Sequence, residues 1–138
     1  MAKKLEELQD ELDADTVINP LSLQSEAADI PKLWSKWLRY HTNAKKQIAT
    51  LQSRKEITYK ELMLLYTGRS DQMCDIIFDG ATEVKIAING DTKMVDIVKL
   101  IQYFEVITEF TGKALDIIKN KGYAIKNMLE IRKLESGA

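Results

Sequence analysis

The chain has 138 residues, 45% of them hydrophobic and 30% charged, and a formal net charge of −1 at pH 7. That length fits one domain, and with only two prolines and six glycines long uninterrupted helices are allowed while a turn-rich β-sandwich is disfavoured. The single cysteine, Cys74, excludes an internal disulfide and a thiolate zinc cluster; no apolar run approaches the roughly 18 to 20 residues of a membrane span, and the charged start lacks the core of a signal peptide, so the expected site of action is the cytoplasm.

Leu5, Leu8 and Leu12 fall at helical spacing among Glu6, Glu7, Asp10, Glu11 and Asp13, which predicts a short acidic amphipathic helix ending near Asp15. Asn19 before Pro20 is a helix-start signal, and a short helix through Ala28 follows. Asp29 and Pro31 repeat the signal, so the chain either restarts there or kinks and continues. From Ile30 a 4,3 repeat runs through Trp34, Trp37, His41, Ala44, Ile48, Leu51, Lys55, Thr58, Leu62 and Leu65, a seam for a second helix. This helix is expected to stop at Gly68.

Asp79-Gly80 and Asn89-Gly90 are turn dipeptides beside β-prone runs at Asp75 to Phe78 and Val84 to Ile88, which predicts a small β-hairpin. Helical periodicity returns after Thr92. One apolar stripe holds Met94, Ile97, Ile101, Phe104, Ile107, Leu115, Ile118, Ile125 and Leu129; beside it runs a second, Tyr103, Val106, Phe110, Ala114, Ile117, Ala124, Met128 and Ile131. One partner helix cannot cover both. Self-association through Phe110, Ala114, Ile117, Ile118, Ala124, Ile125, Met128 and Ile131 is the expected remedy. Gly112 and Gly122, within this helix, allow close helix approach or mark a bend.

Charge is segregated along the chain. Residues 32–60 hold eight basic groups against Glu56 alone, a net +7, whereas residues 1–31 sum to −6 and residues 61–138 to −2. An ordinary exposed helix mixes lysine with glutamate; this block does not, and Trp34, Trp37, Tyr40 and Tyr59 are interleaved with it. Clustered cations neutralise phosphates and rings stack unpaired bases, so the pattern points to single-stranded nucleic acid. Lys45, Lys46, Arg54, Lys55, Lys60 and Arg69 are the candidate phosphate contacts, and Tyr40 and Tyr59 the candidate stacking platforms. Trp34 and Trp37 lie on the seam and read as packing residues, with base contact as the alternative. The acidic first helix either caps the helical bundle or competes with nucleic acid for the basic stripe. Lys113, Lys119, Lys121, Lys126, Arg132 and Lys133 form a second basic cluster.

Asp71, Asp75, Asp79 and Glu83 recur every fourth residue, but on strands and turns they scatter rather than converge on a metal. His41 is the only histidine and has no nucleophile pattern beside it; a buried, hydrogen-bonded imidazole is the expectation. No GxxxxGK[ST] is present. The chain is read as a non-enzyme without metal or cofactor.

Several strings, taken in order, resemble a known family: LEELQDEL (Leu5 to Leu12), LQSEAA (Leu23 to Ala28), SKWL (Ser35 to Leu38), Lys45-Lys46, YTGR (Tyr66 to Arg69) and ALDIIKNKGYAIKNMLEIRKLESG (Ala114 to Gly137). Together they resemble the UvsY recombination mediators of T-even-like phages. The resemblance implies a DNA-recombination accessory protein acting in the cytoplasm of an infected bacterial host. It would bind single-stranded DNA as a ring-like homo-oligomer, with a hexamer and a heptamer both open. It would also weaken the hold of the phage single-strand-binding protein and help load the phage RecA-like recombinase. The family associates its C-terminal helical region with assembly. Where the family carries two basic residues separated by one before the YxGR string, this chain reads Lys60, Glu61, Leu62, so Lys60 carries over, the second cation is absent, and Arg54, Lys55 or Arg69 stand in reserve.

The expected fold is mainly α: two long antiparallel helices with a short β-hairpin insertion and small N-terminal helices, oligomerising through the C-terminal helix. The expected organisation is a single mediator domain over 1–138, with acidic N-terminal helices (1–30), a basic long helix (31–68), the β-containing insertion (69–92) and the oligomerising helix (93–134). The competing interpretation is a helical scaffold or adaptor that does not bind DNA; a metal-dependent nuclease is a weaker third.

Overall fold

Helix dominates the chain, as the 4,3 spacing of its apolar residues requires. The computed structural model describes residues 3–71, 76, 78 and 80–137. In order come α1 (Leu5–Asp15), a 3₁₀ turn (Pro20–Ser22), α2 (Leu23–Tyr66), α3 (Ala81–Gly90) and α4 (Thr92–Glu135). No helix is long and apolar enough to cross a membrane among the described residues. Residues 1–43 with 107–138 make one compact unit and residues 44–106 another. Both long helices contribute to each.

In the first unit α1 buries Leu8 and Leu12, the two positions one turn apart on its apolar face. Asn19 accepts a hydrogen bond from the Leu21 backbone N–H at 3.0 Å with Pro20 following it, and α2 begins at Leu23. It passes through Pro31 without restarting, although that proline withholds one backbone donor from the preceding turn. The core of this unit holds Leu8, Leu12, Leu23, Trp37, Ile107, Ala114, Ile118 and Ile125. α2 and α4 run antiparallel here: a Cβ added at Gly122 would lie 3.4 Å from Ile30 Cγ2, and one at Gly112 3.4 Å from His41 Cε1. The glycines thus mark close approach of α2 side chains to the α4 backbone. His41 lies 2.9 Å through Nδ1 from the Thr111 hydroxyl. That hydroxyl, fully buried, donates to the Ile107 carbonyl at 2.8 Å, so the imidazole Nδ1–H is the donor. His41 is half-buried and hydrogen-bonded, in keeping with a packing role.

In the second unit Leu51 packs with Ile97 and Ile101, flanked by Ile48 and Phe104. Leu62 packs with Val84, Ile88 and Met94, flanked by Tyr59, Leu65, Tyr66 and Phe78. The helix α2 ends at Tyr66, and Gly68 takes φ 75°, the left-handed conformation that closes a helix and favours glycine. Backbone N–H groups of Arg69 and Ser70 return to the Leu64 carbonyl at 2.8 and 3.0 Å. Asp91 caps α4: its Oδ1 accepts from the Lys93 N–H at 2.9 Å while its Oδ2 accepts from the Tyr66 hydroxyl at 2.6 Å.

The expected β-hairpin is overturned, because no strand occurs among the described residues. Val84 to Ile88, read as a strand from its alternating Val84, Ile86 and Ile88, lies within α3. Val84 and Ile88 are buried one helical turn apart, and Ile86 is 68% exposed. The core selected the i, i+4 pair and discarded the alternation. Asn89-Gly90 closes this helix rather than forming a hairpin turn. In the other expected strand, Asp75 and Ile77 lie outside the described residues, as do Cys74 and Asp79; Phe78 donates its backbone N–H to the Tyr66 carbonyl at 3.0 Å and meets the Tyr66 ring edge-on at 5.8 Å.

Candidate nucleic-acid interface

Five of the six candidate phosphate contacts belong to the part of α2 that lies in the second unit. Taking about 100° per residue, Lys45, Lys46 and Lys60 fall within an arc of about 100° opposite the buried Ala44, Leu51 and Leu62, while Lys55 lies nearly in line with those buried positions, as its place in the 4,3 repeat requires, and Arg54 stands to one side of them. Arg69 follows the Gly68 stop. All six are exposed, and none makes an ion pair to a described residue. The unpaired state matters electrostatically, since a cation already neutralised by a carboxylate contributes little to a polyanion's attraction.

These two cations differ in surroundings. Lys55 shares a shallow groove with Gln52, Glu56 and Tyr59, and Tyr59 is half-buried against the Leu62, Val84, Ile88 and Met94 cluster, a ring fixed by packing beside a cation. Arg54 shares another groove with Ile57, Thr58, Glu61, Lys93, Asp96, Ile97 and Leu100, where two carboxylates dilute its charge. The structure therefore brings Lys55 and Tyr59 together and sets Arg54 apart.

Tyr40 belongs to the first unit and is already engaged. Its hydroxyl donates to Glu11 Oε1 at 3.1 Å, its ring meets Trp37 edge-on at 5.2 Å, and the Lys3 ammonium lies 5.4 Å from its centroid. Glu11 and then Tyr40 raise the Lys3 ammonium above the usual lysine range. Lys36, part of the basic block, is held by Asp15 at 2.5 Å and lies 3.9 Å from Glu11. The Trp37 indole N–H donates to Asp15 Oδ2 at 2.9 Å, and that side chain is fully buried; Trp34 is 40% exposed.

Half of the second basic cluster is spoken for. Lys121 is 8% exposed, donates to the Asp15 carbonyl at 2.7 Å and pairs with Glu26 at 3.2 Å. Lys113 pairs with Glu109 at 3.4 Å, and Arg132 donates to the Pro20 carbonyl at 2.6 Å. The anchoring role of Glu11 and Asp15 escaped the sequence reading, yet a signal existed: they stand three residues after Leu8 and Leu12, beside the buried face of α1.

The expected self-association stripe divides in two. Ala114, Ile118 and Ile125 are at most 1% exposed within the subunit, so they belong to its own core and are not free for a second copy. Ile117 and Ile131 are 40% and 54% exposed, and Phe110, Ala124 and Met128 are half-buried. No group of three or more His, Cys, Asp or Glu side chains is placed to hold a metal among the described residues; of the four spaced carboxylates, Asp75 and Asp79 lie outside them.

Residues 11–138 match the model of a family described as recombination, repair and ssDNA binding protein UvsY. The recombination protein uvsY of Enterobacteria phage T4 is 34% identical over 136 residues, covering 97% of this chain and 98% of that protein. Crystal structures of the bacteriophage T4 recombination mediator protein UvsY superpose well. Lattice type II gives a TM-score of 0.84 at 33% identity over 97% of this chain and 98% of that one. Lattice type I gives 0.83 at 32% identity over 94% and 98%.

Proposed function

This chain belongs to the UvsY family, a phage family of recombination, repair and single-stranded-DNA-binding proteins, and on that premise we propose that it is a non-enzymatic recombination mediator. It binds single strands through Lys45, Lys46, Arg54, Lys55, Lys60 and Arg69, with Tyr59 as the better-placed stacking platform. It helps load a RecA-like phage recombinase onto single-stranded DNA coated with the phage single-strand-binding protein, in the host cytoplasm. One observation carries the DNA-binding part: these six cations are exposed and make no ion pair to a described residue, whereas Lys36 and Lys121 are each tied to carboxylates. Phosphate contacts of this kind carry little sequence preference.

Self-association belongs to the same proposal. A homo-oligomer built on the exposed flank of α4 repeats the basic surface, and repeated modest contacts become high avidity for a long strand.

The test is affinity for an oligo-dT strand against salt. With single-strand slopes of roughly −0.7 per neutralised phosphate, six contacts give a slope of about −4, and Lys45→Ala/Lys46→Ala/Lys60→Ala flattens it by about 2. A flat response in the unaltered chain favours the scaffold interpretation instead. Mediator activity is read separately, as faster recombinase filament growth on coated strands when this protein is added.

A further inference from the structure

Apart from the cations of residues 45–69, the first unit holds another basic surface. Pro31, Lys32, Ser35, Lys36, Arg39 and Tyr40 line a broad, open strip along α2, the kind of basic surface that tracks a strand backbone. No carboxylate is among those lining residues, and neither Lys32 nor Arg39 makes an ion pair to a described residue. Lys36 and Tyr40, by contrast, are covered from α1: Asp15 Oδ2 lies 2.5 Å from the Lys36 ammonium, and Glu11 Oε1 accepts the Tyr40 hydroxyl at 3.1 Å. Two carboxylates thus stand on the donors that phosphate oxygens would use.

Leu8 and Leu12 pin α1 to the core, but its carboxylates are held at a cost. Glu11 Oε2 is buried without a hydrogen-bond partner among the described residues, a penalty that opening relieves. With 11 residues, α1 has no side-chain cap at its N-terminus and no basic residue in its last turn. Asp13 and Asp15 sit at the end where the helix dipole disfavours them.

We propose that α1 is an anionic strap over a second single-strand subsite. Glu11 and Asp15 hold Lys36 and Tyr40 until the phosphates of a strand already engaged by Lys32 and Arg39 displace them, adding contacts within the first unit. This rests on the reading of the chain as a single-stranded-DNA-binding protein and adds to it a contact that opens under load.

The experiment compares Glu11→Gln/Asp15→Asn with Glu6→Gln/Glu7→Gln, full-length proteins with the same charge change, the second pair lying on exposed positions of α1. Binding of a labelled oligo-dT strand is followed against salt. Freeing Lys36 adds one neutralised phosphate, which steepens the slope by roughly 0.7 and tightens binding by about fivefold at 0.1 M salt relative to the control pair. Equal slopes and affinities in the two double variants overturn the strap. A readout that leaves the carboxylates intact uses Trp34→Phe, in which buried Trp37, bonded to Asp15, is the sole indole. Saturating oligo-dT then shifts its emission to longer wavelength as Asp15 leaves the indole N–H, and unchanged emission at saturation overturns the proposal. Failure of the unaltered chain to bind oligo-dT at any salt removes the underlying reading and the strap with it; binding without these differences removes the strap alone.

Discussion

Lys121 shows how a charge that looks like part of a basic cluster becomes structural. It is 8% exposed and reaches both Glu26 and the carbonyl that ends α1. Removing one partner of such a pair leaves the other carboxylate desolvated and unneutralised. Lys121→Met should therefore lower stability by about 2–3 kcal/mol, below the loss for a fully buried pair because Glu26 keeps some solvent contact. Adding Glu26→Leu should recover most of it, measured by urea denaturation. Lys3 is different, an exposed ammonium whose affinity for its proton is raised by Glu11 and Tyr40. Its contribution to stability is full below its ordinary value of 10.5 and is lost only as pH rises beyond that. Neither role is legible from spacing alone, because Lys121 and Glu26 are far apart in sequence and meet only when α2 and α4 pack.

The element scale separates what periodicity decides from what it leaves open. The long helices were legible because α2 and α4 each repeat their apolar residues over many turns. Met94, Ile97, Ile101, Ile107, Ile118 and Ile125, all on the first predicted stripe of α4, are buried. α3 was not legible, since five residues reading Val84-Lys85-Ile86-Ala87-Ile88 satisfy both a period of two and an i, i+4 pair. Substitution distinguishes them. Ile88→Ala should cost about 2–4 kcal/mol, as for a large-to-small change in a core, while Ile86→Ala should stay within about 0.5 kcal/mol; a strand would expose or bury both alike. Gly122→Ala provides a second check on α4: the added methyl meets Ile30 at ordinary contact distance, so the gain in helix propensity of up to about 1 kcal/mol should survive. A lower melting temperature would contradict that close but unstrained approach.

For the whole molecule, the exposed part of the α4 apolar flank sets the expected assembly behaviour. Ile131→Glu, at a position 54% exposed, should reduce the particle mass in light scattering while the helical circular dichroism signal stays unchanged. Ile118→Glu, at a fully buried position, should instead unfold the first unit and say nothing about the interface. Unchanged mass for Ile131→Glu and Met128→Glu together would rule out that flank as the contact between copies. Net charge alone concealed this organisation: a sum of −1 contains an acidic first helix folded back on Lys36 and, farther along α2, a run of cations with no ion pair to a described residue.

The division of the chain also sets an order of events during translation. Residues 44–106 form their unit from one continuous stretch, whereas the other is stitched from residues 1–43 and 107–138. As the nascent polypeptide leaves the ribosome, the inner stretch can collapse on itself first. Trp37 must wait for partners encoded about 70 positions later, an interval of roughly 4–14 s at bacterial elongation rates. The contact to that indole from the leading segment, Asp15 on its N–H, is the partner translated before it, so α1 is the first element able to meet the ring.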